Sequence, residues 1–337
     1  MNTLTIPRPT SVGIMLSYKC TCNCKHCMYA CSPKWPDDWL PLDDARTIIS
    51  QLAELLPPHI RPGYVGLNHG LHFTGGEPFM NYSLLLNCTA MAKEMGIHSI
   101  FVETNAFWSR DDDTARRMLT DLKTAGLNGI LISANPFVVE HVPFERVQRA
   151  ARISEELFPG GVMVYQQYFY RQFQQAGLTR TMSFEKYAKK AKRSLGHVEL
   201  FANGRAPYKL GALFKHYAAE HFFGSACERE LIRDWHIHID NYGNYVPGYC
   251  GGLTLGDARD IEDLCWGGID LDQHPILDAL LTDIELLYEI AVSRGYRECE
   301  GGYISKCHLC ADTRRYLYPR GPFRELAPAG FYEHLQN

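Results

Sequence analysis

The chain has 337 residues, of which 46% are hydrophobic and 21% are charged, a composition that supports a sizeable buried core. Its formal net charge of −4 gives no electrostatic reason to expect binding to nucleic acid or to an anionic membrane surface. No apolar run approaches the roughly 20 residues of a membrane-spanning helix, and the N-terminus lacks the layout of a signal peptide, so a cytoplasmic location is predicted.

Short apolar runs alternate with helical patterns from about residue 11 to residue 206, as expected for βα units with a parallel sheet. The six predicted strands are Val12–Leu16, Gly70–Phe73, Ser99–Val102, Ile130–Ile132, Val162–Tyr165 and Val198–Phe201. Apolar residues at helical spacing predict helices over Leu42–Leu56, Thr114–Ala125 and Phe144–Leu157. Six such units indicate an α/β fold with a partial or full parallel barrel.

A polar segment follows each predicted strand. In a parallel barrel the strand ends converge on one face, where active sites lie. The candidate catalytic residues are chosen only because they follow predicted strands. They are Tyr165, Gln167, Arg171 and Arg205. The segment from Phe169 to Ser183 is predicted to be a solvated loop, with a substrate-facing lid as the alternative.

The pattern changes from about Gly224 onwards. Ile237–Ile239 and Tyr245–Val246 flank an Asn-Tyr-Gly-Asn sequence, which predicts a β-hairpin, and helices are expected over Pro275–Arg294. We place a domain boundary between residues 210 and 225. The predicted divisions are a domain over 11–215, a second domain over 216–318 and a C-terminal tail over 319–337.

The twelve cysteines fall into two groups. Five lie between Cys20 and Cys31 and six lie between Cys227 and Cys310, with Cys88 alone in the middle. A disulfide framework is not expected without an export signal, because the cytosol keeps thiols reduced. The distribution indicates two soft-metal sites.

In the first group, Cys20, Cys24 and Cys27 have the spacing CxxxCxxC directly after the first predicted strand. Three thiolates on one loop can bind three irons of a [4Fe–4S] cluster and leave the fourth iron without a protein ligand. Cys22 and Cys31 lie in the same run, so a zinc ion held by four cysteines is an alternative. The cysteine spacing alone does not decide between them.

The second predicted strand is followed by Thr74-Gly75-Gly76-Glu77-Pro78. Paired glycines let the backbone approach a ligand without interference from a Cβ atom. A carboxylate at this place can accept hydrogen bonds from the ammonium group of a bound amino acid. A zinc knuckle needs neither feature, so this segment favours the iron–sulfur interpretation.

Together the two motifs resemble the radical S-adenosylmethionine (SAM) superfamily, whose signature is CxxxCxxC after the first strand and GGE(P) after the second. The resemblance covers about residues 11 to 206. It implies a partial (β/α)6 TIM-like barrel in which Cys20, Cys24 and Cys27 hold a SAM-binding [4Fe–4S] cluster. The residues that it implies for cofactor binding are His26, Gly75, Gly76, Glu77, Pro78, Thr104, Asn105 and Ser133.

The sequence departs from the family pattern at two positions. His26 stands where the family usually has an aromatic residue, although an imidazole can still pack near adenine. Thr104-Asn105 looks like the third-strand TNG segment, with Ala106 replacing the glycine. Ser133 looks like the fourth-strand serine near the SAM ribose or carboxylate, and a polar residue at the barrel mouth is the alternative for each.

In the second group, Cys227, Cys250, Cys307 and Cys310 can present four thiolates to one metal, and a structural zinc is a rival. This region resembles the Twitch extension of radical SAM enzymes, or shorter relatives of SPASM. The resemblance implies a small, cysteine-rich α+β domain that holds an auxiliary [4Fe–4S] cluster. Cys265 and Cys299 are expected to be buried thiols, although either could replace one of the four ligands.

The implied function is reductive cleavage of SAM to a 5′-deoxyadenosyl radical, which abstracts a substrate hydrogen. The auxiliary cluster would support oxidation or C–C or C–S bond formation, or would be structural. A sugar- or nucleoside-type small molecule is favoured over a peptide because no N-terminal leader-binding domain is expected, and a flavodoxin- or ferredoxin-type protein would be the reductant. The alternatives are a non-catalytic iron–sulfur or zinc electron-transfer or binding protein, and radical SAM transfer of a methyl, adenosyl or aminocarboxypropyl group.

Overall fold

The computed structural model of the chain describes residues 2–57 and 64–337. The chain forms two compact units. The first, which we call the sheet unit, comprises Thr10–Cys24 and Cys31–Glu199. The second, which we call the C-terminal unit, comprises Met1–Pro9, Lys25–Ala30 and Leu200–Asn337. The predicted domain bounds stay a prediction.

The strands of the described residues are, in chain order, β1 (Thr3–Leu4), β2 (Ser11–Met15), β3 (Gly70–Thr74), β4 (Ile100–Thr104), β5 (Gly129–Ser133), β6 (Val162–Tyr165), β7 (Ile237–Ile239), β8 (Tyr245–Val246) and β9 (Ile269–Asp270). The α-helices are α1 (Leu42–Leu55), α2 (Tyr82–Glu94), α3 (Asp112–Ala125), α4 (Phe144–Leu157), α5 (Gln167–Gln175), α6 (Phe184–Lys190), α7 (Ala206–Leu210), α8 (Glu228–Leu231), α9 (Ile261–Trp266), α10 (Pro275–Thr282), α11 (Ile284–Val292), α12 (Lys306–Leu317) and α13 (Ala329–His334).

The sheet unit is built on the five parallel strands β2 to β6, in the spatial order β6-β5-β4-β3-β2. Because the strands are parallel and neighbours in sequence pair with each other, helices connect them and all carboxyl ends lie at one edge. All five residues of β2 are buried, as expected for a strand covered on both faces.

Helix α3 of the sheet unit has a capping residue at each end. The Asp111 side chain accepts a hydrogen bond from the Thr114 amide at 2.7 Å, which satisfies one of the free N–H groups at the start of α3. Gly126 ends the same helix with a φ of 122°, a conformation that costs other residues energy. The apolar face of α3 then packs inward through Leu119 and Leu122, both fully buried. Burying each of these side chains contributes about 1.5–3 kcal/mol.

The predicted α/β fold of the partial-barrel type is confirmed, but with five parallel strands instead of six. Strands overlap the first five predicted runs, whereas Val198–Phe201 forms no strand, and that prediction is wrong. The run lacks a buried face, since Phe201 is 41% exposed. The Glu199 carbonyl accepts a hydrogen bond from the Gln166 side chain at 3.0 Å.

The prediction of a loop after Phe169 is also wrong, because α5 spans Gln167–Gln175 and α6 spans Phe184–Lys190. Phe169 and Phe173 are one helical turn apart and almost fully buried, so α5 has an apolar face despite its many glutamines.

The C-terminal unit contains two small antiparallel pairings, β1 with β9 and β7 with β8. The predicted hairpin is confirmed, and the Asp240 carboxylate closes its turn by accepting hydrogen bonds from the Tyr242 and Asn244 amides. The helices predicted over Pro275–Arg294 are present as α10 and α11. No helix in the described ranges is both long enough and apolar enough to cross a bilayer.

Candidate cofactor and metal sites

In the sheet unit, three of the predicted motifs follow neighbouring strands. The loop with Cys20 and Cys24 follows β2, Gly75-Gly76-Glu77 follows β3, and Asn105 follows β4. Because β2, β3 and β4 are adjacent and parallel, these segments meet at the same edge of the sheet.

The paired glycines pack directly against the loop that leads to Cys20. The Gly76 amide donates to the Ser17 carbonyl at 2.7 Å, and the Glu77 amide donates to the Lys19 carbonyl at 3.0 Å. A Cβ atom on Gly76 would overlap the Lys19 carbonyl, and Gly75 adopts a φ of 121°. These glycines are therefore needed for a close approach within the chain itself, in addition to any approach to a ligand.

The Glu77 carboxylate is 1% exposed and is held by three donors. The Thr104 hydroxyl and the Asn105 amide each donate to it at 2.8 Å, and the Phe79 amide donates at 3.2 Å. Burial raises the pKa of Glu77 to about 7, and these hydrogen bonds limit the rise. A carboxylate oriented in this way in a low-dielectric site attracts a cationic group strongly.

The Asn105 side chain joins this network to the cysteines. Its Nδ2 donates to Thr21 Oγ1 at 3.0 Å and lies 3.3 Å from Cys22 Sγ and 3.7 Å from Cys20 Sγ. Asn105 thus contacts a predicted cluster ligand, whereas the sequence assigned it to SAM binding.

Cys22, which the sequence left without a role, lies among the predicted ligands. Its amide donates to Cys20 Sγ at 3.4 Å, and its thiol accepts from Asn105 Nδ2 at 3.3 Å. The hydrogen bond with Cys22, followed by burial, raises the pKa of Cys20 well above its usual value. In the metal-free chain this thiol is therefore protonated at neutral pH, and metal binding must release its proton.

The remaining predicted SAM residues of the sheet unit lie close to these strand ends. Pro78 is buried at the start of a short 3₁₀ turn. Ser133 ends β5 and is half-buried, opposite Tyr165 of β6. Their contact with SAM stays a prediction.

Cys27 and His26 belong to the C-terminal unit, where Arg205 supports their backbone. The Cys27 carbonyl accepts hydrogen bonds from the Arg205 amide at 3.0 Å and from the Ala30 amide at 3.3 Å. The fully buried Arg205 guanidinium donates to the Ala30 carbonyl at 2.7 Å. Burial, and to a smaller extent Arg205, lowers the pKa of His26 to about 4, so the imidazole is neutral at pH 7. Arg205 thus shapes the end of the cysteine loop.

The other three candidate catalytic residues have different surroundings. Tyr165 packs against an apolar cluster that contains Val65, Phe101 and Leu131. Gln167 and Arg171 lie on α5 and line a cavity of about 490 Å³. Their catalytic roles stay predictions.

In the C-terminal unit, the four cysteines predicted as auxiliary ligands line one cavity. Cys227 directly precedes α8, Cys250 follows the β7–β8 hairpin, and Cys307 and Cys310 lie one turn apart on α12. Burial and then the nearby Cys310 raise the pKa of Cys227 to about 11 and that of Cys307 to about 12. The folded chain therefore gathers these thiols, although they are far apart in sequence.

The separation of these sulfur atoms bears on the choice of metal. A tetrahedral zinc with Zn–S bonds of about 2.3 Å would hold its sulfurs about 3.8 Å apart. In the described residues, no three of these sulfurs lie within 4.8 Å of one another. The choice between zinc and a [4Fe–4S] cluster, in which each thiolate binds a different iron, stays a prediction.

A buried arginine that sequence reasoning missed lies beside these thiols. Arg314 Nε donates to Cys310 Sγ at 3.3 Å, and Nη1 donates to the Gly251 carbonyl at 3.1 Å and to the Tyr332 hydroxyl at 3.0 Å. The side chain is only 4% exposed. Its position four residues after Cys310 on a helix was the available signal.

The two unassigned cysteines of this region have other partners. Cys299 Sγ donates to the Asp312 carboxylate at 3.1 Å, and Cys265 Sγ lies 4.0 Å from the Pro7 carbonyl. Both contacts favour the role of buried thiols over that of cluster ligands.

Comparisons with known proteins find no matching family model and no matching curated protein. Several solved structures are similar. BtrN in complex with AdoMet and 2-DOIA shares 13% identity, with a TM-score of 0.40, over 82% of this chain and 89% of that one. Native anSMEcpe with bound AdoMet shares 13% identity, with a TM-score of 0.43, over 93% and 98%. Streptococcus suis SuiB bound to S-adenosylmethionine shares 13% identity, with a TM-score of 0.34, over 78% and 66%.

Proposed function

We propose that this chain is a radical SAM enzyme in which Cys20, Cys24 and Cys27 hold a [4Fe–4S] cluster with one iron open to SAM. The observation that carries the proposal is the hydrogen-bond network of Glu77, Thr104 and Asn105. Through this network the segments after β3 and β4 contact the cysteine loop after β2. A structural zinc knuckle would not require a buried carboxylate beside its thiols.

In this proposal Glu77 receives the ammonium group of SAM. Three donors fix the direction of its carboxylate, so little orientation has to be gained when the ligand binds. The side-chain amide of Asn105 lies 3.7 Å from Cys20 Sγ. It would donate to the Cys20 thiolate once the thiol has lost its proton. When bound, the reduced cluster supplies the electron that cleaves SAM and so starts hydrogen abstraction from the substrate.

For the C-terminal unit we propose a second [4Fe–4S] cluster held by Cys227, Cys250, Cys307 and Cys310. The common cavity of the four thiols supports this assignment. A cluster with four protein ligands has no open iron, so it would accept an electron from the substrate radical instead of binding SAM. The proposed net reaction is oxidation of a small molecule, with a flavodoxin- or ferredoxin-type reductant serving the first cluster.

The test is anaerobic reconstitution with iron and sulfide, followed by incubation with SAM and dithionite. We expect release of 5′-deoxyadenosine, which chromatography can quantify. The Cys24→Ala variant should lose this release. Cys88→Ala is the matched control, because Cys88 is a buried thiol of α2 that is fully enclosed by the core and should be dispensable.

A reconstituted and reducible cluster that releases no 5′-deoxyadenosine would contradict the proposal and favour an electron-transfer or binding protein. Release of methylthioadenosine or S-adenosylhomocysteine in its place would identify group transfer.

A further inference from the structure

Two cations stand beside the four thiols of the C-terminal unit. Arg314 is buried and donates to Cys310 Sγ at 3.3 Å. Lys306 is half-buried, donates to the Ala226 carbonyl at 2.6 Å, and lines the same cavity as the four cysteines. Arg314 therefore contacts one thiol of the set directly, and both cations line the cavity that the four thiols share.

Arg314 is held rigidly as well as buried. Its Nη1 donates to Gly251 and Tyr332, and the Tyr332 hydroxyl in turn donates to the Gly252 carbonyl. A guanidinium keeps its charge in all protein environments, and burying it costs several kcal/mol unless negative charge compensates. The thiolates of a bound cluster would provide that compensation.

A fixed positive charge has a predictable effect on the redox chemistry of such a cluster. Reduction adds one electron to a group that is already anionic, so a nearby cation stabilises the reduced form more than the oxidised form. Hydrogen bonds to the ligating sulfurs act in the same direction. Arg314 should act more strongly than Lys306, because solvent screens a half-exposed charge.

We propose that Arg314, assisted by Lys306, raises the reduction potential of the cluster held by Cys227, Cys250, Cys307 and Cys310, and so adapts this site to accept an electron. The step is a one-electron reduction in which no covalent bond forms or breaks. This inference rests on the second cluster of the proposed function. Arg314 acts here as a positioning residue, through the cluster and not on the substrate.

The experiment is a redox titration followed by electron paramagnetic resonance, in a Cys20→Ala, Cys24→Ala, Cys27→Ala background that leaves one cluster to observe. We expect Arg314→Gln to change the ratio of oxidised to reduced cluster at a given potential at least tenfold, which is about 59 mV towards more negative values. Lys306→Gln should shift the potential in the same direction by less. Arg315→Gln is the matched control, because Arg315 pairs with Asp312 at 2.9 Å, and its potential should equal that of the background protein.

The outcomes separate the inference from the function on which it rests. If the background protein contains no iron, the second cluster of the proposed function is absent and the inference fails with it. An iron-loaded Arg314→Gln variant that titrates like the background overturns the inference, as does an equal shift in Arg315→Gln. Where Arg314→Gln binds no iron, the surface variant Lys306→Gln decides, and an unchanged potential there also overturns it.

Discussion

The two cysteine regions differ in the charge that the fold places beside them. Next to the loop of Cys20 and Cys24, the sheet unit buries an acid, Glu77, held by neutral donors. Next to the thiols of the C-terminal unit, the chain buries a base, Arg314. Both regions offer thiols to a metal, but their electrostatic surroundings are opposite.

This contrast indicates which ligands each region favours. A buried carboxylate disfavours additional anions and attracts a positively charged partner, such as the ammonium and sulfonium groups of SAM. A buried guanidinium favours a site that is filled with anionic ligands. Under the proposed function, an acid therefore suits the cluster that would bind a cationic cosubstrate, and a base suits the cluster whose ligands would all be thiolates.

The largest expected effect concerns iron content. In the Cys20→Ala, Cys24→Ala, Cys27→Ala variant, we expect the iron per chain to fall from about eight atoms to about four after reconstitution, because the four distant thiols still hold one cluster. Adding Cys250→Ala should remove most of the remaining iron. Iron and zinc are measured by elemental analysis of the desalted protein.

Cys299→Ala is the control for these measurements, since its thiol is hydrogen-bonded to Asp312, and its iron content should equal that of the wild type. Zinc in place of iron at the second region would contradict the comparison of two redox sites, because the second region could then not accept an electron.

A smaller effect is expected in the pH dependence of stability near Glu77. Its pKa is about 7 in the folded chain against 4.5 for the free group, so the folded state binds more protons between these values. The contribution of Glu77 to the stability of the metal-free chain is therefore fully present below pH 4.5 and is lost as the pH rises through 7. The loss amounts to roughly 3 kcal/mol.

Urea unfolding at pH 4.5 and pH 8 measures this loss. The side chain introduced by Glu77→Gln stays neutral at both pH values. The free energy of unfolding of the wild type should therefore fall by roughly 3 kcal/mol more than that of this variant between the two pH values. The exposed Glu94→Gln is the matched control and should follow the wild type. Equal losses in Glu77→Gln and the wild type would show that the acid beside the first region is not desolvated.

The smallest expected effect is at Ala106, which follows the residues that bind Glu77. Ala106 adopts a φ of 65°, a left-handed conformation that costs a residue with a Cβ about 1 kcal/mol relative to glycine. We expect Ala106→Gly to stabilise the chain by up to about 1 kcal/mol, partly offset by the greater freedom of glycine in the unfolded state. Thermal unfolding measures the change.

The comparison variant is Ala115→Gly in the right-handed helix α3, which should destabilise the chain by about 1 kcal/mol. A destabilised Ala106→Gly variant would mean that the methyl group contributes more by packing than its conformation costs.

The sequence was sufficient to predict the elements whose signals are local. Apolar runs indicated the five parallel strands, and the turn at Gly243 indicated the hairpin of β7 and β8. The sixth strand was wrong because Val198–Phe201 has the composition of a strand but no buried face, which depends on tertiary packing. Helix α5 was missed because its glutamines conceal the spacing of Phe169 and Phe173.

The contacts of the sites could be predicted only in part. Cysteine spacing and the glycine pair indicated which segments matter, but not that Asn105 contacts Cys22 and Cys20 instead of facing a ligand. Arg314 gave no motif, because two of its three partners, Gly251 and Tyr332, come from other parts of the chain. Long-range hydrogen bonds of this kind have no period in the sequence.

The segment Lys25–Ala30 is grouped with residues 200–337, whereas the residues on either side of it are grouped with the sheet unit. The backbone around Cys27 is hydrogen-bonded to Arg205 and Ala30 within that grouping. A chimera that exchanged everything after residue 199 for the equivalent part of a relative would thus replace the support of the third cysteine as well. The C-terminal half is not an interchangeable cassette, and a graft should carry residues 25–30 with it.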